Sequence, residues 1–335
     1  MSGFARYLFW RFVQMAITLL AVSLMVYAII EMMPGDFAER ELFRKFNGTG
    51  VTVTQADIDN VRAQLGLDRP FLVRYGEWIW GIVTRLDFGP AFRVETTVNR
   101  IIALKIGSTM AVITAALFLS YLIAIPVGMY VATRQRSAAD TAISIVSYMG
   151  LAIPGFALAL LLLYVNVTLF GADVTGLISE RYANAPWSWG KIQDFLAHAA
   201  VPIIVLGWSA TAFQLQTMRA LMGDELGKLY VTAARARGLD GFRLYWRYPA
   251  RQALLPIINS VGFDVNRIFN ELPIVALILV LGELGQELLN AYLDADQNTA
   301  AGILLVITTL IVFLNFFTDL LIAAIDPRIR MGMSR

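Results

Sequence analysis

Six stretches of this 335-residue chain are apolar for long enough to cross a lipid bilayer, and they restrict its fold more than any other feature. A helix needs ~20 apolar residues to cross the hydrocarbon core, because ~30 Å is covered at ~1.5 Å per residue. The stretches are residues 12–33, 106–133, 142–170, 195–221, 254–280 and 301–325. They predict an all-α integral membrane protein with six transmembrane helices.

Composition and the first stretch fit this prediction. Only 16% of the residues are charged, against roughly 25% in soluble proteins, and the mean hydropathy is +0.63. The stretch 12–33 is too long for the apolar core of a cleaved signal peptide, so we expect it to be retained as a membrane anchor.

The distribution of Lys and Arg predicts the orientation, because short cytoplasmic loops carry an excess of both. The loop 282–299 holds four acidic residues and no Lys or Arg, so we place it outside. Both termini are then cytoplasmic. The basic residues that six crossings put on the inner side are Arg6, Arg11, Arg134, Arg136, Arg219, the six of segment 223–256, and Arg328, Arg330 and Arg335.

Four regions follow from this topology. Residues 1–33 hold the first helix, and residues 34–105 form a small extracytoplasmic insert. Residues 106–325 form the transmembrane core, including the cytoplasmic loop 223–256, and residues 326–335 are a cytoplasmic tail. Within the insert, 51–54 has the composition of a strand, Thr54 and Asp57 suit a helix start, and Gly66 suits its end.

Several absent motifs argue against an enzyme. The chain has no phosphate-binding G-x-x-x-x-G-K-[ST] loop, no G-x-S-x-G elbow and no H-E-x-x-H pair. It has no Cys, and we interpret its single histidine, His198, as a structural hydrogen-bonding residue. We therefore predict no cofactor, metal or ATP site in this chain. The formal charge of +2 gives no support for nucleic-acid binding.

The loop 223–256 carries the clearest functional pattern. Asp224 suits the start of a helix that ends at Gly238, and a second short helix is expected over 242–248. Ala233, Ala234 and Ala236 would make one side of the first helix thin enough for close contact with another surface. Aromatic anchors rimmed by arginines are typical of a protein docking site. A basic loop resting on anionic lipid headgroups explains the composition equally well.

Residues 232–239 read Thr-Ala-Ala-Arg-Ala-Arg-Gly-Leu, and Pro256 follows eighteen residues after the glycine. This pattern resembles the coupling motif of permeases in binding-protein-dependent ABC importers, more narrowly the first permease subunit of the dipeptide/oligopeptide branch. Thr232 stands where the broader importer motif has Glu, as is common in that branch. Further segments with the same resemblance are 65–70, 73–76, 86–89, 153–156, His198 to Pro202, and 326–330.

The resemblance implies a fold, partners and coupling residues. It implies the type I importer fold in a bacterial-type inner membrane, a second homologous permease subunit, two ATP-binding cassette subunits that hold ATP and Mg, and an extracytoplasmic solute-binding protein. Peptides are the implied cargo, while oligosaccharides and nickel are carried in the same branch. The residues implied to meet the ATPase, or to tie the loop to the fifth helix, are Tyr230, Thr232, Ala233, Ala234, Arg235, Arg237, Gly238, Leu239 and Pro256.

The predicted fifth helix contains polar residues at bilayer depth. Charges there cost about 2.5–3.5 kcal/mol on insertion scales unless they are paired or hydrated. Asp264, Arg267 and Glu271 are spaced to share one helix face, and Asn266 and Asn270 lie among them. They line either the substrate pathway or the contact with the second permease. They also prompt a less favoured reading, a secondary transporter that needs no ATPase.

Pro154 predicts a break in the third apolar stretch, because proline disrupts the helix and disfavours the helical conformation at the preceding Ile153. Such a break is either a hinge or a static kink, and we favour the kink.

Overall fold

The computed structural model describes residues 3–47, 52–171, 174–183, 185–186 and 188–325. The predicted tail 326–335 and its motif lie outside the described residues. The helices in chain order are α1 Gly3–Glu31, α2 Phe37–Phe46, α3 Gln55–Leu65, α4 Phe71–Arg85, α5 Val98–Ala132, α6 Ala138–Ala152, α7 Gly155–Val165, α8 Glu180–Ala183, α9 Trp189–Leu226, α10 Leu229–Ala236, α11 Gly241–Tyr245, α12 Arg251–Asn259, α13 Val261–Ile278, α14 Leu284–Leu293 and α15 Gln297–Ile325.

The remaining regular structure is short. Strands β1 Pro90–Ala91 and β2 Thr96–Thr97 form an antiparallel pair, with Pro90 opposite Thr97. Two π-helical turns, Asn166–Phe170 and Trp246–Ala250, follow α7 and α11. The chain divides into two compact units. One comprises Met1–Ser108 and Glu283–Phe313, and the other comprises Thr109–Gly282 and the helical residues from Leu314 onward.

Four helices in the described part of the chain are long and apolar enough to span a membrane: Phe9–Glu31, Val98–Ala132, Trp189–Leu226 and Gln297–Phe317. A fifth candidate is the pair α6 and α7, which bend by 104° at Pro154. That angle is much larger than a kink, so the third apolar stretch is two helices joined by an extended Ile153. The predicted fifth span is divided between α12 and α13. Because of its charged residues, it is not among the candidate membrane spans.

Within residues 34–105 of the first unit, the described residues form α2, α3, α4, the two short strands and the start of α5. The Thr54 side chain and Asp57 form a capping box at the start of α3, and Gly66 ends α3 in the left-handed conformation. Asp36 caps α2 by accepting a hydrogen bond from the Glu39 N–H. The strand predicted over 51–54 is wrong for the described residues of that stretch, because Thr54 serves as the helix cap.

Basic residues of the first unit neutralise the acidic segment 283–297. Glu287 pairs with Arg93 and with Lys105, whose Nζ lies 2.8 Å from Glu287 Oε1. The Arg40 guanidinium donates to the Leu293 carbonyl at 2.6 Å. Burial raises the pKa of Glu287, but the hydrogen bonds and charges of Lys105 and Arg93 outweigh it and hold the pKa below its usual range. The insert and α14 are therefore joined by partly buried ion pairs.

We predict that Glu287→Gln destabilises the first unit by about 1–3 kcal/mol, between the cost expected for exposed and for fully buried pairs. Because the folded pKa is lowered from the ordinary 4.5, the stabilisation is complete above that value. It is lost as pH falls through the lower folded pKa.

Thermal unfolding of the purified chain, measured between pH 7 and pH 3 at intervals of roughly one pH unit, tests this effect. The control is Glu77→Gln, which removes the exposed pair with Arg69 and is expected to cost less than about 1 kcal/mol. Equal effects of the two substitutions at pH 7 would contradict the prediction.

α5 and α9 approach each other closely in the second unit. A Cβ at Gly128 would lie 2.9 Å from the Leu215 carbonyl oxygen, and one at Gly207 would lie 3.0 Å from that of Ala116. The Ser120 hydroxyl bridges the two helices by donating to the Gly207 carbonyl at 2.9 Å. Small residues and hydroxyl hydrogen bonds at such crossings are typical of helix packing in membranes.

Candidate functional site

The loop 223–256 is built from three helices and a π-helical turn. α9 continues to Leu226, and Gly227 and Lys228 then separate it from α10. The predicted cap at Asp224 is wrong, because Asp224 lies inside α9 and the cap position of α10 is Lys228. The predicted stop is confirmed, since α10 ends before Gly238, which has φ +85°. Positive φ is the conformation that glycine adopts at least cost.

A small apolar cluster holds α10 against α11. Val231, Ala234 and Leu244 are buried together, and Leu239 packs against them at the edge. Ala234 therefore does not lie on the same open surface as Ala233 and Ala236, and the expectation of a single alanine side is wrong. Val231 and Ala234 are three residues apart, so they share the buried face of α10. The other two alanines, Ala233 and Ala236, are exposed.

The exposed face of α10 consists of short and basic side chains. Thr232, Ala233 and Arg235 are exposed, and Leu229 is 87% exposed at the start of the helix. Arg237 and Gly238 continue this surface beyond the end of α10. Five residues of the predicted coupling set lie on this surface, while Ala234 is buried and Leu239 is only partly exposed. Tyr230 and Pro256 lie elsewhere in the loop, and the coupling role itself stays a prediction.

Tyr230 connects α10 to the end of α9. Its hydroxyl donates a hydrogen bond to the Glu225 carboxylate, and its ring lies 6.5 Å from the ring of Tyr248. Burial and the neighbouring Glu225 carboxylate both raise the pKa of Tyr230, so it is a neutral donor at physiological pH. Tyr230 thus holds α10 in place at its amino end.

The base of the loop is anchored to the helices of the second unit. Ala250, Ala253 and Ile257 are buried against the last turns of α5 and the end of α9. The residues they meet there are Met129, Ala132, Met218 and Met222. Pro256 lies exposed within α12 rather than at its start. The loop is therefore a protruding unit on a packed base.

The charged residues of α13 face inward. Asp264 is 1% exposed and accepts hydrogen bonds from the Tyr121 hydroxyl at 2.7 Å and from the Gln214 amide at 2.5 Å. Arg267 Nη1 lies 3.9 Å from Asp264 Oδ1. The Glu271 carboxylate accepts from the Ser209 hydroxyl at 3.2 Å. The predicted shared face is confirmed for these three, and it packs within the second unit.

Asn266 and Asn270 occupy a different face of α13, so the predicted set of five is divided. Both are exposed, and Phe263, Ile274 and Leu277 continue the same exposed stripe. Sequence reasoning missed this stripe, although its spacing of three and four residues marks one helix face. It also missed Gln214, which could have been noticed as an amide side chain inside the apolar stretch 195–221.

The break at Pro154 lies beside the α13 charges. A Cβ at Gly155, the first residue of α7, would lie 2.6 Å from Glu271 Oε2. The Glu271 carboxylate is thus close to the amino end of α7, where a negative charge is favoured by the helix dipole. Glycine at this position leaves the room that the carboxylate occupies.

Comparison with known proteins identifies the family. A family model described as "Binding-protein-dependent transport system inner membrane component" matches residues 124–331, and the companion model for the N-terminal part matches residues 4–98. The first model alone covers more than half of the chain. The chain belongs to this family of membrane transport components. It is therefore a permease component of a binding-protein-dependent ABC importer.

Individual permeases of the family align along almost their whole length. A Brucella ovis protein whose name assigns it provisionally to the peptide permeases is 32% identical over 315 residues, covering 93% of this chain and 95% of the relative. The oligopeptide transport system permease protein AppB of Bacillus subtilis is 28% identical, with 97% and 99% covered. The dipeptide transport system permease protein DppB of Escherichia coli is 26% identical, with 93% and 95% covered.

We predict that Asp264→Ala destabilises the permease by about 1–3 kcal/mol or more, because it leaves the Tyr121 hydroxyl and the Gln214 amide without their buried acceptor. Asn266→Ala on the exposed face of the same helix is the control, and it is expected to change stability by less than about 0.5 kcal/mol. Thermal unfolding of the two variants in detergent measures the difference. Similar melting temperatures for both would contradict the inward role of Asp264.

Proposed function

We propose that this permease forms one half of the membrane pathway of an importer for peptides or similar polar solutes. ATP-binding cassette subunits would move it through the exposed face of α10, and an extracytoplasmic binding protein would deliver the solute. Family membership and the peptide permeases among its relatives support this proposal. The observation that carries the coupling role is a short helix with an exposed surface of small and basic residues on a buried, anchored base.

Contacts inside the first unit support six membrane crossings. Residues of the insert pair with the segment after α13, as Arg93 does with Glu287. Two segments on the same side of a membrane must be separated by an even number of crossings. Between Arg93 and Glu287 lie α5, the pair α6 and α7, α9, and α12 with α13. Four crossings satisfy this contact if α12 and α13 together cross the membrane despite their charges.

Contacts inside the second unit agree with the same topology. The Gly176 N–H donates to the Leu279 carbonyl at 2.8 Å, which joins the loop after α7 to the end of α13. Two predicted spans separate them. At the other end, Arg219 of α9 pairs with Asp140 at the start of α6, again two spans apart. With the positive residues inside, this topology leaves the insert outside and the coupling loop in the cytoplasm.

In this proposal, the movement that the ATPase subunits drive passes from the loop 223–256 directly to the membrane helices. ATP and Mg would be bound by the ATPase subunits, and their closure would displace α10. Because α11, the π-helical turn and α12 follow without a long linker, movement of α10 would tilt α12 and then α13. The Ser260 junction between α12 and α13 accepts a hydrogen bond from Gln214 of α9, so the movement would also reach α9.

We predict that Ala233→Arg abolishes uptake, because a large side chain on the exposed face of α10 would hold the ATPase surface away. The variant should lower substrate uptake at least about tenfold, and ATPase subunits should no longer copurify, since a loss of roughly 1.4 kcal/mol in binding already costs tenfold in affinity.

The control is Gln252→Arg, which adds the same side chain at an exposed position of α12. Ala234→Arg is not a suitable test, because it would disrupt the buried cluster of α10 and α11. Normal uptake by Ala233→Arg, in membranes that contain the variant at the usual level, would remove the coupling assignment.

We further propose that the exposed stripe of α13 faces the solute pathway. The amides of Asn266 and Asn270 can donate to and accept from the backbone of a peptide. A contact with the second permease is the competing role, and the apolar members Phe263, Ile274 and Leu277 would suit it. Truncating Arg267 would not decide between them, because it removes the charge nearest Asp264 and so affects folding.

The double variant Asn266→Ala with Asn270→Ala separates the two roles. For a pathway face, uptake falls while the assembled complex is recovered in normal amount. The expected effect is about five- to thirtyfold, or roughly 1–2 kcal/mol for the hydrogen bonds lost. Size-exclusion chromatography of the complex provides the assembly measurement. Loss of the complex instead would assign the stripe to the contact between permeases.

Two alternatives to the proposed peptide importer differ from it in the cargo or in the energy source. Oligosaccharide and nickel importers of the same branch would keep every structural element described, and ligand screening of the binding protein distinguishes them. A secondary transporter would show uptake without ATPase subunits. The protruding α10 surface favours the ATP-driven importer, because a transporter without an ATPase has no use for a docking helix.

A further inference from the structure

A groove beside the coupling helix carries arginines that the coupling surface does not use. The groove encloses a volume of about 510 Å³. We call it the arginine groove, and it is lined by Phe242, Arg243, Trp246, Arg247, Arg251 and Leu254. We propose that the arginine groove binds the headgroup and glycerol region of an anionic phospholipid.

Charge is the first support. Arg243, Arg247 and Arg251 are spaced by four residues, so they project along one side of α11, the π-helical turn and α12. All three are exposed, and none makes an ion pair with any residue that the structure describes. Arginine presents a planar fork of donors that matches phosphate oxygens. Three such side chains around one groove therefore suit a phosphate-bearing ligand.

The apolar floor is the second support. Phe242 is 73% and Trp246 50% exposed, and their rings stack with centroids 6.1 Å apart. Leu254 continues this floor into α12. A free phosphate ion would gain nothing from such a surface, whereas a phospholipid places its glycerol and upper acyl chains beside its phosphate. The combination of floor and rim thus matches a lipid.

The position of the groove near the ends of the apolar helices is the third support. Ala250 and Ala253, neighbours of Arg251 in sequence, are buried against Met129 and Met222. These lie near the end of α5 and near the end of α9, where both helices leave their apolar stretches. Tryptophan and arginine at the ends of membrane spans are typical of the headgroup layer. The arginine groove therefore lies where phospholipid headgroups are found.

The coupling surface is separate from this groove. α10 forms the tip of the loop, where its buried face packs against α11 through Val231, Ala234 and Leu244. Its exposed face carries none of the residues that line the groove. The groove instead lies along the return of the chain towards the membrane. An ATPase at the tip and a lipid at the base can consequently be bound together. Because lipid binding follows from the groove geometry alone, it does not require the proposed transport function.

The experiment uses the purified full-length chain in detergent with equal concentrations of phosphatidylglycerol and phosphatidylcholine. Native mass spectrometry counts the molecules of each lipid that remain bound. The variant replaces Arg243, Arg247 and Arg251 by Gln. Its control replaces Arg136, Arg235 and Arg237 by Gln, which removes the same charge from exposed positions outside the groove.

We expect the groove variant to lower phosphatidylglycerol occupancy at least about tenfold, since each arginine near an anionic headgroup contributes substantially to binding. The control should retain it, and phosphatidylcholine occupancy should be equal in both. Excess inorganic phosphate should not displace the bound lipid. If the triple variant fails to fold, the single variant Arg247→Gln provides the same test with an expected loss of about threefold or more.

Three results would overturn the proposal. Unchanged phosphatidylglycerol binding in the groove variant would remove the site. An equal loss in the control would indicate general attraction between charges. Loss of copurifying ATPase subunits from the groove variant but not from a variant with Arg136→Gln alone would assign the groove to a protein interface.

Discussion

Every polar group in the membrane-spanning part of this permease must find a partner inside the protein, because hydrocarbon offers none. Helices satisfy this requirement for the backbone. For the side chains, the second unit meets part of it by turning Asp264, Arg267 and Glu271 inward, where Tyr121, Gln214 and Ser209 each donate one hydrogen bond to a carboxylate, while Asp264 Oδ1 and Glu271 Oε2 accept none from the residues that the structure describes. The break at Pro154 is compatible with the same requirement, since the Glu271 carboxylate lies at the amino end of α7.

The same inward network connects the loop 223–256 to the helices of the second unit. α12 and α13 follow the loop in sequence and meet at Ser260, where Gln214 of α9 joins both Ser260 and Asp264 through hydrogen bonds. These hydrogen bonds connect the buried face of α13 to α9 and, through Tyr121, to α5. The exposed face of α13, with Asn266 and Asn270, is then the part of the helix free to meet a solute or a second subunit.

Two surfaces of opposite character divide the loop 223–256. The tip presents small side chains on α10, which suit close contact with a protein. The base presents arginines around an aromatic floor at the ends of the apolar helices, which suits an anionic lipid. The two readings that the composition of the loop allowed are therefore proposed for different parts of the same segment.

The sequence alone indicated five of the six predicted spans, which the structure keeps as four long apolar helices and one bent pair. It also indicated the helix end at Gly238, the capping box of Thr54 and Asp57, and the family resemblance. These follow from local patterns: the length of an apolar run, a left-handed glycine and a hydrogen bond across three residues. The sequence also determined that Asp264, Arg267 and Glu271 share a face, because helical periodicity alone sets relative directions around one helix.

Tertiary structure decided which neighbour each face meets. It buried Ala234 while leaving Ala233 exposed, extended α9 past Asp224, and separated Asn266 and Asn270 from the charges beside them. It also brought Arg93 and Lys105 to Glu287, far away in sequence. Periodicity gives the angle between two side chains on a helix, but the side that is covered depends on packing against helices distant in the chain.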